Sequence, residues 1–242
     1  MSTHAGAGTG YRELALDHSP AASPEDVTTG FVTRDRSSLW TLVAAGERVC
    51  AFVWLLILAP LLALTALTIW LLSRRAPLVA HQRVGRNGKE FWVLKFRTMW
   101  SGRAVHWCPK SYMIERLFAA AAPEVKSARD PRVTSTFAAF CRKYSIDELP
   151  QLYHVLRGEM SFVGPRPLTR DELSQHYGPA AREVLRLKPG LTGLWQVRGR
   201  SRLNYQQRRR LDLFLVRNWS LRLYVMLLLA TIPRVLKGTD AW

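Results

Sequence analysis

Asp147 and Glu148 stand side by side in a strongly basic stretch, with Arg142, Lys143 and Arg157 close by in sequence. A carboxylate in such company can act as a nucleophile towards phosphorus. Both partners are negative, so the attack needs Mg²⁺, Arg or Lys to offset the repulsion. Lys95-Phe96-Arg97 puts two cations on one side of a strand, spaced to grip one phosphoryl group. Gly164-Pro165-Arg166-Pro167 gives Arg166 a rigid setting suited to an oriented guanidinium. Blander readings stay open at this point: the acidic pair as a helix cap and first-turn charge, and the cations as a rim facing solvent or lipid headgroups. Other chemistry is missing from the pattern. There is no HExxH, Walker lysine or GxSxG motif, Gly85-x-x-Gly88 is too short for dinucleotide binding, and His81, His106, His154 and His176 lack zinc-ligand spacing.

The elements that must position these groups follow from periodicity and turn chemistry. A strand from Leu78 to about Arg83, the turn Gly85-Arg86-Asn87-Gly88 and a second strand through Phe91–Phe96 read as a β-hairpin, because Asn-Gly tolerates positive φ. Residues 111–122 carry apolar positions at helical spacing, and Pro123 and Pro131 bracket a linker. Asp147 is placed at the start of a helix that ends at Gly158, with Pro150 inside its first turn. Further helices are expected over 171–187 and 203–217, separated by breaks at Pro189-Gly190 and Gly193. The segment from Trp219 to Leu236 is mostly apolar but interrupted by Arg222 and Arg234. It belongs either at a membrane interface or against the core.

The chain has 242 residues, a net charge of +17 and 48% hydrophobic residues, too apolar for a disordered basic tail. Three basic and six acidic side chains fall in residues 1–47, so the positive charge belongs to the rest. Residues 1–37 read as a flexible leader with little to bury. Val49–Leu72 is a run of 24 residues without a charge, about 36 Å as a helix and long enough for a hydrocarbon core of about 30 Å. A cleaved signal peptide is disfavoured by its position and length. Pro60 sits at its midpoint, so the segment either spans or bends and returns. A basic chain held at a membrane meets anionic lipid and phosphorylated substrates; Arg208-Arg209-Arg210 is read as contacting phospholipid or solvent, with no nucleic acid as partner. Cys50, Cys108 and Cys141 offer no disulfide framework.

The ordered motifs resemble those of the bacterial sugar transferases, the monotopic polyprenyl-phosphate glycosyl-1-phosphate transferases. The resemblance covers roughly residues 38–238. It rests on His81–Gly88, Lys95-Phe96-Arg97-Thr98-Met99, Asp130-Pro131-Arg132-Val133-Thr134, Ser145–Leu152, Arg157–Pro167 and Lys188–Arg200.

That resemblance implies a bacterial inner-membrane enzyme that moves a sugar-1-phosphate from a UDP-sugar onto undecaprenyl phosphate and releases UMP, starting a lipid-linked glycan. It implies Asp147 as the nucleophile of a covalent phosphosugar intermediate, and Glu148 as its partner, which either helps hold Mg²⁺ or manages charge and protons at the pair. Lys95, Arg97, Arg132, Arg166 and Arg200 are the implied phosphate contacts. The fold class is α/β and membrane-associated: a re-entrant membrane helix over 38–75, bent at Pro60, then a compact, mainly helical cytoplasmic domain over 76–242 containing a small β-hairpin and an interfacial C-terminal helix. Inner-leaflet phospholipids are expected partners, and a homo-oligomer is compatible with the Trp and apolar residues outside the first membrane run. In the family's closing pattern Asp212 is retained, while Leu215 replaces a tyrosine and Tyr224 an aspartate. Two other classes fit the same residues: a membrane phosphatase or nucleotidyl transferase using the same cations, and a non-catalytic anchored regulator or scaffold of polysaccharide assembly in which Asp147-Glu148 is only a cap.

Overall fold

The uncharged run lies inside one helix, α1 (Ser38–Ser73), in a computed structural model that describes residues 38–99, 114–117, 133, 135–199 and 203–238. The leader 1–37 lies outside the described residues. Leu and Ala dominate α1 and favour helix, and the helix continues on both sides of Pro60 despite the missing N–H. It stops before Arg74, whose φ of 54° cannot continue it. Only 11% of its most apolar window is buried, which sets it apart from the core helix of a soluble protein. The residues it does bury, Glu47, Ala51, Thr65 and Ile69, lie on both sides of Pro60.

Strands β1 (Leu78–Val84) and β2 (Glu90–Phe96) form the expected antiparallel hairpin, with Leu78 opposite Phe96 and Val84 opposite Glu90. Asn87 and Gly88 take φ of 57° and 77° in the turn, the left-handed values that their side chains make accessible. The hairpin is part of a larger sheet. Residues 114–117, expected within a helix, instead form β3 (Ile114–Leu117), parallel to β1, giving the order β2-β1-β3. The second edge of β1 needs hydrogen-bond partners, and this non-local pairing overrides the local helical spacing. The rest of 111–122 lies outside the described residues.

Helix α2 (Thr136–Lys143) leads into a tight 3₁₀ turn, Ile146–Gln151, and then α3 (Leu152–Arg157), which ends at Gly158 as expected, with φ of 73°. Strands β4 (Ser161–Val163) and β5 (Gly190–Thr192) pair in parallel. The backbones of Gly164 and Gly190 approach so closely that a Cβ on either would collide with the other. The expected helix over 171–187 is broken. α4 (Arg170–Glu172), capped by Thr169, widens into a turn through Tyr177, and α5 (Ala181–Val184) restarts after Gly178-Pro179, where Gly178 has φ of 50°. Then come α6 (Leu194–Arg198), α7 (Tyr205–Arg217), capped reciprocally by Asn204 and Gln207, and α8 (Leu221–Lys237).

Among the described residues, three of the four apolar clusters take residues from α1. Trp40 and Val43 pack with Val163, Leu215 and Leu227; Ala51 with Phe91, Val93 and Met160; Ile69 with Phe96 and Ala138. The fourth, around Val84, Leu168, Leu173, Tyr177 and Val184, takes none. α8 buries Leu223, Tyr224 and Leu227 and exposes Val225, Met226, Leu229 and Ile232, so it packs on the core with one face and leaves the other apolar and open. Among the described residues the fold is α/β, mostly helical, with two small sheets and one long apolar helix.

Candidate active site

Asp147 and Glu148 sit within the 3₁₀ turn, not at a helix cap. The capping position falls to Ser145, whose φ of 57° swings the chain into the turn, and the Glu148 N–H donates to the Ser145 carbonyl at 3.1 Å. The acidic pair is therefore held on a bend between α2 and α3, against strand β2. Lys95 on β2 donates to Glu148 Oε1 at 2.5 Å. Asp147 is crowded by protein: burial first, then the neighbouring Glu148 charge, raise its pKa to about 6, against the opposing pull of Lys95 and Arg142. At neutral pH it is a carboxylate of raised basicity, which suits a nucleophile.

His154 locks this bend to β2. It is buried on α3, its Nε2 accepts the Leu94 N–H at 3.1 Å, and its Nδ1 pairs with Glu159 Oε2 at 2.7 Å. Because β2 is the edge strand of its sheet, the Leu94 amide depends on this ring for a partner. The bond fixes the residue immediately before Lys95.

The cations gather around His81. Its pKa is pushed down to about 4, first by burial and then by Arg83, Lys95, Arg166 and Arg97 in that order. Lys95, Arg97 and Arg166, three of the expected phosphate contacts, thus share one neighbourhood. Arg97 is itself buried, with Nε donating to the Ala76 carbonyl at 2.8 Å. Arg166 leaves the loop seated on Gly164 and Gly190 and reaches the Trp195 ring, 5.6 Å from its centroid. Arg132 and Arg200 lie outside the described residues.

Sequence reasoning missed Arg83 and Arg208. Arg83 follows His81 at the next same-side position of β1, and burial with Arg166 nearby lowers its pKa. Arg208 on α7 lies over both Trp195 and Tyr205, at 4.9 and 5.2 Å from their centroids. The Tyr205 hydroxyl donates to Glu172 at 3.2 Å, and the Tyr177 hydroxyl to the fully buried Asp212 at 2.7 Å.

Among the described residues no cluster of three or more His, Cys, Asp or Glu could cage a metal ion. Two adjacent carboxylates still fit Mg²⁺, which keeps several waters and usually takes one or two carboxylates plus substrate phosphate oxygens.

Comparison with known proteins follows the same residues. The model of the bacterial sugar transferase family matches residues 40–238. The exopolysaccharide production protein ExoY of Sinorhizobium fredii is 36% identical over 226 residues, covering 89% of this chain and 96% of that protein. The UDP-galactose-lipid carrier transferase of Erwinia amylovora is 41% identical over 190 residues, 77% of this chain but 39% of the relative. The undecaprenyl-phosphate galactose phosphotransferase of Salmonella typhimurium is 40% identical over 200 residues, 80% and 40% respectively. The chain thus spans nearly all of one relative and less than half of the other two. On the match over 40–238 and the near full-length likeness to ExoY, the chain belongs to the bacterial sugar transferase family.

Proposed function

We propose that this protein transfers a sugar-1-phosphate from a UDP-sugar to undecaprenyl phosphate, releasing UMP, through a covalent intermediate on Asp147. The observation that carries this reading is the Asp147 carboxylate, raised in basicity and set beside the Lys95–Glu148 pair and the cations around His81. An Asp147 oxygen attacks the sugar-bearing phosphorus; its bond to the UMP oxygen breaks, and UMP leaves as an anion. The phosphate of the lipid then attacks the same phosphorus and displaces Asp147, giving a polyprenyl diphosphate sugar. Lys95 and Arg166 offset the charge that brings the two anions together. Glu148 and Asp147 would hold Mg²⁺, which supplies further charge neutralisation when bound.

The two half-reactions need a soluble donor and a lipid acceptor at one place. We place the enzyme at the bacterial inner membrane with its catalytic domain cytoplasmic and its basic surface towards inner-leaflet phospholipids. Packing on either side of Pro60 supports a re-entrant α1. Ala51 and Ile69 would be about 27 Å apart on a straight helix, yet their clusters include Phe91 and Phe96, five residues apart on β2 and so separated by about 17 Å. Residues on both sides of Pro60 thus pack against the domain, as a helix bent at Pro60 requires. The open apolar face of α8 suits the interface beside it.

The test is to incubate enzyme with radiolabelled UDP-sugars before adding lipid. UMP release with a phosphosugar adduct on Asp147 is expected. Absence of an adduct, with Asp147→Asn retaining full turnover, overturns the mechanism. Cysteines placed in residues 1–30 should be shielded from impermeant reagents in intact cells; external labelling would rule out the re-entrant topology.

A further inference from the structure

His154 meets a donor at one ring nitrogen and an acceptor at the other, and only one placement of its proton satisfies both. The side chain is 4% exposed, and burial holds its pKa below the usual value against the pull of Glu159, so the ring is neutral at pH 7. A neutral imidazole has one N–H, which either nitrogen can carry. Nε2 faces the Leu94 N–H at 3.1 Å and must accept it. The proton therefore lies on Nδ1, which donates to Glu159 Oε2 at 2.7 Å. The opposite tautomer would set two N–H groups against each other at Leu94 and leave a bare Nδ1 facing a carboxylate.

Glu159 is arranged to make that choice. Gly158 ends α3 with φ of 73° and turns the chain back, so that the Glu159 N–H donates to the His154 carbonyl at 2.9 Å and the carboxylate comes beside the ring of the same residue. Arg157 holds the other oxygen, Nε to Oε1 at 3.1 Å, and its guanidinium in turn donates to the Tyr153 hydroxyl. One carboxylate oxygen is thus occupied and the other is aimed at Nδ1. A side chain at position 158 is excluded twice, by the positive φ and by the Arg48 guanidinium of α1, which lies where a Cβ would stand. Phe91 and Tyr153 each meet the imidazole nearly at right angles, with centroids 5.5 Å away, and restrict its rotation.

The consequence reaches the acidic bend within one residue. On the edge of its sheet, the Leu94 amide has His154 in place of a neighbouring strand. Leu94 precedes Lys95, whose ammonium pairs with Glu148 Oε1. Losing the ring as an acceptor frees the strand at the point where Lys95 leaves it. A carboxylate that selects the tautomer of a histidine can in this way fix a reactive group without touching substrate.

We propose that Glu159 is a positioning residue for the transfer reaction: by holding His154 as its Nδ1–H tautomer it keeps Nε2 free to accept from Leu94, and so keeps Lys95 set against Glu148. The assignment rests on the reaction proposed above. It acts through hydrogen bonds that exist before any substrate binds, so it can be read without turnover.

The test is nitrogen NMR of the full-length protein in detergent, with histidine ring nitrogens labelled and His154→Asn used to identify the signal. The native ring should be the Nδ1–H tautomer at pH 7. Glu159→Leu should shift it towards the Nε2–H form and speed hydrogen exchange at the Leu94 amide about tenfold or more. Its kcat should fall by about tenfold or more, with the KM for UDP-sugar nearly unchanged. Glu159→Gln has the same size and keeps an acceptor oxygen, for which Arg157 now competes, so its tautomer ratio and kcat should both fall between those of the native and leucine proteins. Should the leucine variant fail to fold, glutamine carries the test: an unchanged tautomer and unchanged kcat there overturn the assignment. So does an Nε2–H ring in the native protein, or a kcat that falls while the tautomer and Leu94 protection stay native, which marks a merely structural role. An Asp147 adduct formed at the native rate in a Glu159→Leu protein with altered tautomer refutes the positioning role and leaves the reaction standing. Tautomer and exchange changes as expected, in a protein that releases no UMP from any UDP-sugar, keep the hydrogen-bond assignment and refute the reaction.

Discussion

Lys95 Nζ lies 2.5 Å from Glu148 Oε1, so the strand's ammonium is paired with the second carboxylate of the acidic pair. Asp147 feels that ammonium only through space, as a moderating charge, and keeps its raised pKa. The pairing divides labour between adjacent side chains of the same type: one is neutralised in place and the other remains available to react.

Asp147→Asn should abolish turnover, by roughly 10³-fold or more, and remove the labelled adduct. It should also stabilise the protein. A carboxyl whose folded pKa lies above its unfolded value contributes stability at low pH that is lost as pH rises from about 4 towards 6, so the ionised group is unfavourable at neutral pH. Its neutral isostere should raise the apparent Tm in detergent by about 2–4 °C. A lower Tm would contradict the crowding described for this side chain.

The rate should carry the same signature. kcat/KM for the UDP-sugar should fall with unit slope as pH drops through about 6, where Asp147 takes up a proton. Lys95→Met removes a charge that lowers this pKa and should move the acidic limb to higher pH. Glu148→Gln removes one that raises it and should move the limb lower. A profile flat from pH 5 to 8 would exclude Asp147 ionisation as the controlling step.

His154→Leu deprives the Leu94 amide of its acceptor and should cost about 1–3 kcal/mol. The loss of activity should exceed what the stability change explains, because the strand position before Lys95 is released. His154→Asn, which still offers an acceptor, should recover part of both. Burial holds the ring's pKa below its usual value, so its contribution is retained near neutrality and weakens as pH falls below about 6.5. Thermal melts and kcat/KM across pH 5–8 check both effects.

Glu47 is buried on α1 and accepts from Ser161 Oγ at 2.5 Å, the Phe162 amide at 2.8 Å and the Tyr224 hydroxyl at 2.8 Å. Glu47→Ala should cost about 3–5 kcal/mol by leaving three donors unmatched, and Tyr224→Phe about 1 kcal/mol. Tyr224→Asp would set two carboxylates against each other and should prevent stable folding. Glu47→Lys should rescue it, and a double-mutant cycle read by denaturation in detergent measures the coupling.

Much of the arrangement is legible in the residues. Asn87-Gly88 fixes the hairpin, and the uncharged run bounds α1 to within a few residues of its observed end. The acidic pair and Arg166 stand out by type and neighbours. β3 escaped because its partner β1 lies more than thirty residues away, and local spacing carries no record of that pairing. Arg208 was hidden in a run of three arginines that reads as surface charge. The signal that distinguishes it is helical phase: Arg208, Asp212 and Leu215 fall on one stripe of α7, of which Asp212 and Leu215 are fully buried. Arg83 is marked in the same way, by alternation with His81 along β1.

The Glu47–Tyr224 bond joins residues 177 positions apart, and its sequence separation bears on how the protein is made. On the membrane topology proposed above, the ribosome delivers α1 to the bilayer before α8 exists, so the helix enters lipid with an unmatched acid near its start. Only when the last helix has been synthesised can that acid find its hydroxyl. On that reading the docking of α1 is completed late in biogenesis, and chains cut short before Tyr224 should be recognisable to quality-control proteases by a first helix that inserts but never docks.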